Sequence, residues 1–155
     1  MRAVVQRTSR ATVREAGTAL GEIGPGLVVL LGIGPGDDDA IAGRLASRVA
    51  TLRVFADASG RMNLDLAQSG GAVLLISQFT LWADTSRGHR PSFIGAAAPD
   101  QAERLCDAFA AALRARDLSV ATGRFGAHME VELVNDGPVT LVLSSGEGGW
   151  DADAG

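Results

Sequence analysis

The stretch from His128 to Ser144, HMEVELVNDGPVTLVLS, decides the fold class. His128, Glu130 and Glu132 alternate with Met129, Val131 and Leu133, a period of two that sends polar and apolar side chains to opposite faces of a strand. Val139 to Ser144 is a second strand candidate, and Asn135-Asp136-Gly137 between them is good turn chemistry. Pro138 suits the first position of a strand, where no N–H is needed, and a Gly-Pro bond is one at which the cis isomer is inexpensive. The first reading is a hairpin.

Working outward, the rest of the chain predicts more strand than helix. Arg2 to Thr8 alternates, and Thr18 to Ile23 leads through Gly24-Pro25-Gly26 into the apolar run Leu27 to Leu31, a second hairpin signal. Met62 to Leu66, Ala72 to Leu81 and Ser119 to Phe125 are further strand candidates. Helices are expected over about 38–52, where Asp37, Asp38 and Asp39 supply a cap and early acids, and over about 100–116, which opens on Pro99 and Asp100. The second helix sets Leu105, Cys106, Phe109 and Leu113 on one face, which makes Cys106 a core residue. Hairpin-connected neighbours favour an α+β fold of curved, largely antiparallel sheet with two helices over a doubly wound parallel sheet. Residues 1–145 read as a single domain and 146–155 as a flexible, acidic, glycine-rich tail.

Composition removes several chemistries. The chain has 155 residues, a size for one core, and no apolar run reaches the roughly 20 residues of a membrane span. No signal peptide is visible at the start, and one cysteine allows no intrachain disulfide, so a reducing cytosol is the expected setting. All 14 basic residues are arginine and tyrosine is absent, which excludes a Schiff-base lysine, a phosphate-loop lysine and a tyrosine nucleophile. With His89 and His128 as the two imidazoles, neither a three-His zinc site nor a cysteine-rich one can be assembled within one chain. The net charge is −4, yet six acids sit in 37–39 and in the tail. Without them 14 arginines face 12 acids, and Arg2, Arg7, Arg10 and Arg14, or Arg87, His89 and Arg90, can form local positive faces.

Two segments bear on function. Gly32-Ile33-Gly34-Pro35-Gly36 lies between a strand and a helix, but Asp37 and its neighbours would repel a pyrophosphate there, so a helix-capping loop is the better account than a dinucleotide site. Ser77 and Thr80 fall at the end of the apolar strand Val73 to Ile76 and either face a cleft or simply finish the strand; His89 follows in a loop, but no complete triad is visible.

Ser77-Gln78-Phe79-Thr80-Leu81 and Asn135-Asp136-Gly137-Pro138-Val139-Thr140 together resemble the two signature motifs of the D-aminoacyl-tRNA deacylase family. The likeness runs from Met1-Arg2-Ala3-Val4-Val5-Gln6-Arg7 through Arg90-Pro91-Ser92-Phe93 and Thr122-Gly123-Arg124-Phe125-Gly126 to about Ser144. His128, where an acid is expected, and the tail depart from it.

The resemblance implies a barrel-like deacylase fold, a homodimer, a cytoplasmic location, and hydrolysis of the ester joining a D-amino acid to the 3′ end of tRNA, without metal, cofactor or membrane. It implies catalysis around Ser77, Gln78, Phe79 and Thr80, and substrate binding by Gly137 and Pro138, a cis dipeptide inserted into the partner's pocket. Arg7 either supports that dipeptide from beneath or is an ordinary surface arginine, and Phe125 and Met129 either line the pocket or pack in the core. For the chemical step, backbone N–H groups near Phe79 and Thr80 with the ribose 2′-hydroxyl, or Thr80 as nucleophile, are alternatives. Selection by steric rejection of the L form leaves glycyl-tRNA acceptable, since glycine has no side chain to reject.

Overall fold

The structure is a computed structural model that describes residues 1–145. The acidic, glycine-rich segment 146–155 lies outside the described residues. Along the chain come β1 (Arg2–Glu15), β2 (Thr18–Ile23), β3 (Gly26–Gly32), α1 (Asp39–Ala50), β4 (Phe55–Ala56), β5 (Met62–Leu64) and α2 (Leu66–Ser69). They are followed by β6 (Ala72–Ser77), a 3-10 turn (Phe79–Trp82), α3 (Pro99–Arg114), β7 (Val120–Thr122) and β8 (Glu130–Ser144). The two long helices are those expected. The segment that alternated over 62–66 splits into the short β5 and the single helical turn α2, whose Asp65 and Gln68 form a capping box.

The main sheet is mixed and runs β2-β1-β3-β6-β7, with β8 on the other side of β1. β1 is its spine. On one side it pairs antiparallel with β3 over its first half and β2 over its second; on the other, β8 runs antiparallel along nearly its whole length. β3, β6 and β7 are parallel to one another, a pairing the hairpin-based expectation of largely antiparallel sheet did not include. β2 curls back towards β7, where a Cβ on Gly21 would lie 2.9 Å from the Thr122 carbonyl, so the sheet nearly closes into a barrel.

Two hairpins expected from sequence are absent. Gly24-Pro25-Gly26 does not join paired strands, because β2 pairs with β1 across the turn at Ala16-Gly17, and β3 takes a separate stretch of β1. The reading of 128–144 as two strands and a reversing turn is corrected as well: β8 is one strand that never turns back.

β3 and β6 are buried on both faces, which is why Leu27–Leu31 and Val73–Ile76 read as unbroken apolar runs. Leu27, Val29, Leu31, Val73 and Leu75 face α1 and α3 in the larger core, and Val28, Leu74 and Ile76 join Ala11 and Val13 in a second core on the opposite face. The carboxyl ends of β3 and β6 therefore emerge side by side beneath α3. There the ladder ends and the chain is free to form a pocket.

Candidate active site

The parallel ladder between β3 and β6 reaches Leu31 opposite Ser77, and one further bond extends it: Gln78 N–H donates to the Leu31 carbonyl at 2.7 Å. The chain then tightens into the 3-10 turn, in which Leu81 N–H donates to Gln78 O at 3.2 Å and Ala83 N–H to Thr80 O at 3.0 Å. The strand expected to run to Leu81 thus stops at Ser77. At the start of such a turn the first amides have no partner within the helix, and neither Phe79 N–H nor Thr80 N–H meets an acceptor among the described residues. The Gln78 side-chain amide donates to Thr80 Oγ1 and ties the two side chains together.

Beside this turn lies a cavity of about 410 Å³. Ser77, Gln78 and Phe79 form one wall, Phe125 another, and Phe93 closes the rim with its ring edge-to-face on Phe79 at 5.0 Å. Cys106 of α3 lies at the floor. No aspartate, glutamate, histidine or arginine lines this cavity among the described residues. Burial, with smaller contributions from Asp107 and Glu103, pushes the Cys106 thiol up to about 12, so it is neutral and non-nucleophilic at physiological pH. The site can receive an apolar group and offer main-chain N–H donors. It holds no side-chain base.

The other sequence-marked residues fall in three places. Phe125 lines the cavity, whereas Thr80 is exposed at its edge and does not. Met129 belongs to the second core, with its sulfur packed so closely on Gly123 that a Cβ there would lie 2.5 Å away. His89, Arg87 and Arg90 are exposed at the tip of a loop closed by paired bonds between Asp84 and Ser92, and none of them reaches the cavity. Phe93 lies in the Arg90-Pro91-Ser92-Phe93 segment of the family likeness but has no role in the site on sequence grounds, and of the α3 residues of the wall the sequence singles out only Cys106, as core. An aromatic inside an otherwise polar, glycine-rich loop was the available signal.

Gly137 and Pro138 sit in an excursion of β8. Gln6 pairs with Thr140 and Thr8 with Asn135, so Asp136 to Val139 stand opposite the single residue Arg7. The Gly137-Pro138 bond is cis. Asn135 closes the base of the excursion, accepting from Val139 N–H and donating to Thr140 Oγ1, both at 2.9 Å. Arg7 lies beneath it, mostly buried, and donates to the Asp136 carbonyl at 3.1 Å and to the Val54 carbonyl, with the Asp136 carboxylate at 3.2 Å. The dipeptide is exposed, and within one chain it does not line the cavity.

The glycine-rich segment 32–36 is no anion site. Asp37 is buried and accepts from Gly34 N–H at 2.6 Å, and Asp38 caps α1 by accepting from Ile41 N–H at 2.8 Å.

A family model described as D-Tyr-tRNA(Tyr) deacylase matches residues 4–144. Proteins named D-aminoacyl-tRNA deacylase from Symbiobacterium thermophilum and Azotobacter vinelandii are 58% and 57% identical over 145 residues, covering 94% of this chain and 96% and 100% of their own. A solved structure titled c-Myc DNA Unwinding Element Binding Protein superposes with a TM-score of 0.88 at 38% identity, covering 95% of this chain and 100% of its own. Another, of a probable eukaryotic D-amino acid tRNA deacylase, superposes with a TM-score of 0.79 at 16% identity, covering 92% and 97%, a likeness of fold.

Proposed function

Because this chain belongs to the D-Tyr-tRNA(Tyr) deacylase family, we propose how its own residues select and hydrolyse a D-aminoacyl-tRNA ester. The protein is a hydrolase acting on ester bonds, a D-aminoacyl-tRNA deacylase. The observation that carries the mechanism is the apolar cavity whose one polar edge is the turn bearing the Phe79 and Thr80 amides. Residues 1–145 act as one deacylase domain working in the cytoplasm, and no helix among the described residues is long and apolar enough to cross a membrane.

The ester carbonyl lies against the turn, where the Phe79 and Thr80 N–H groups receive the developing oxyanion. One such donor is typically worth 10² to 10³ in rate. With no side-chain base at the cavity, the 2′-hydroxyl of the terminal ribose assists the attacking water. The Gly137 and Pro138 carbonyls accept from the substrate ammonium, and Gly137 lets the main chain come close because it has no β-carbon. Ammonium and ester held together leave one direction for the side chain: in the D form it points to open space, in the L form into main chain. Glycyl-tRNA, with no side chain, is accepted.

The dipeptide and the cavity are separate within a chain, so the working site is formed by two copies, each lending its excursion to the other's cavity. The outer face of β1 and β8 suits such contact, since Val142 stands 76% exposed beside Arg2 and Val4. Incubation with matched D- and L-aminoacyl-tRNA tests the activity: release of free amino acid from the D form alone is expected. Binding of tRNA without release would leave a binding module, and cleavage of simple esters without tRNA an unrelated esterase.

In this reading Arg87 and Arg90, exposed at the loop tip, contact acceptor-stem phosphates. Replacing both by alanine is expected to weaken tRNA binding similarly for all sequences and to reduce the salt dependence by about one unit of log–log slope per arginine. Titration at several salt concentrations reads this, and an unchanged slope removes them from the interface.

A further inference from the structure

The turn that presents the Phe79 and Thr80 amides is a weak piece of structure by itself. It has four residues and no side-chain cap, and Phe79 and Thr80 are exposed. Something outside the turn must hold it, and the contacts converge on Trp82 at its last position.

One side of the indole rests on bare main chain. A Cβ built on Gly34 would lie 2.5 Å from Trp82 Cζ2 and 2.7 Å from Cη2. A Cβ on Gly32 would lie 3.2 Å from Cδ1, and 2.9 Å from both the Gln78 carbonyl and Leu81 Cβ. The two glycines at the end of β3 are thus a slot that side chains would fill. Over the ring, with its Cζ 4.1 Å from the ring centroid, sits the guanidinium of Arg2, which also donates to the Leu81 carbonyl at 2.7 Å. Arg2 stands directly across from Gly32 in the β1–β3 register, and the missing side chain there leaves its path to the turn open. The indole Nε1 is buried without a hydrogen-bond acceptor among the described residues, so packing and the cation, not a polar tip, fix the ring.

We propose that Arg2 is a positioning residue for ester hydrolysis: through the Leu81 carbonyl and Trp82, pressed into the Gly32–Gly34 slot, it holds the turn in register with the reacting carbonyl. This rests on the reading above in which the Phe79 and Thr80 amides stabilise the oxyanion. Arginine suits the task because its planar group stacks on the ring while an N–H points at the carbonyl. The GIGPG segment, which leads into the Asp38 cap of α1 at one end, is at the other end the seat of the proposed active-site turn.

The test uses a Trp150→Phe background, in which Trp82 is the one remaining tryptophan and reports its own surroundings. Arg2→Ala is expected to lower kcat roughly tenfold to thirtyfold with KM within about twofold, the signature of donors slightly misplaced at the transition state. Trp82 emission shifts to the red and acrylamide quenching rises. Arg2→Lys, which keeps a cation and a donor but not the planar stack, recovers part of the rate and of the emission. An Arg2→Ala protein whose kcat is unchanged while Trp82 is freed overturns the proposal. So does a rise in KM alone, which makes Arg2 a tRNA contact, or a loss the Lys variant does not recover together with a lowered Tm, which makes it merely structural. If the background protein itself does not hydrolyse D-aminoacyl-tRNA, the catalytic reading fails first and this inference falls with it.

Discussion

Gly137→Ala is expected to slow release of D-amino acids by about 10²-fold or more while the protein still folds, since a misplacement near 1 Å at a positioned site costs on that order. Gly137 has φ +134°, a conformation L side chains rarely adopt. Its added Cβ would also lie 2.7 Å from Val139 Cγ2, 2.9 Å from Val139 N and 3.2 Å from Arg7 Nη2. Val139 N is bonded to Asn135, so the strained segment and not its neighbour must yield, and relief moves the two carbonyls proposed to accept from the ammonium. Strain of this kind amounts to about 1–3 kcal/mol, and the segment is an exposed excursion, so global stability survives. Single-turnover deacylation beside a thermal melt reads both. Mixing this variant with Ala96→Trp, which fills the cavity, is expected to restore part of the rate, because a mixed dimer joins an intact dipeptide to an intact cavity. No recovery on mixing, with each variant still dimeric, would sink assembly of the site across subunits.

A substrate ending in 2′-deoxyadenosine, charged on its 3′-hydroxyl, is expected to be hydrolysed about 10² to 10³ times more slowly, while Thr80→Ala stays within a few fold of the parent. Among the described residues the cavity wall offers no carboxylate or imidazole, and the ionisable group that lines it, the Cys106 thiol, is held neutral. Thr80 Oγ1 accepts from the Gln78 amide, which cannot take its proton. Proton handling is therefore assigned to the substrate. If Thr80→Ala lost several orders of magnitude with binding retained, and the deoxy substrate reacted normally, Thr80 would be the nucleophile and the assignment reversed.

Which features were legible in the sequence follows from what each residue reports. The runs Leu27–Leu31 and Val73–Ile76 announce strands buried on both faces, and Asp38 with the periodic Ile41, Leu45 and Val49 announces α1. The loud Gly24-Pro25-Gly26 signal misleads because the actual hairpin turns at Ala16-Gly17, both at positive φ, with no Asn or Asp to advertise it. The alternation over 128–144 fits one bent strand as well as a hairpin. The fourteen-residue partner β1, which decides between them, lies more than a hundred residues away. For the site, the two motifs stand out through family likeness, but their separation within a chain, the wall from Phe93 and α3, and the seat of Trp82 are matters of tertiary placement. A glycine reports only that something comes close, not what.

The excursion at 136–139 has one more effect, on the rim of the sheet. β8 is fifteen residues long and pairs with β1 alone among the described residues, so its outer side is the kind of open main-chain edge along which stray chains add and aggregates grow. Four residues lifted out of the ladder, one of them a proline with no N–H to give, cut that edge into two short runs. The interruption that the proposed chemistry depends on also denies a passing strand a continuous template, so a variant that smoothed it into regular β-structure would trade catalysis for stickiness.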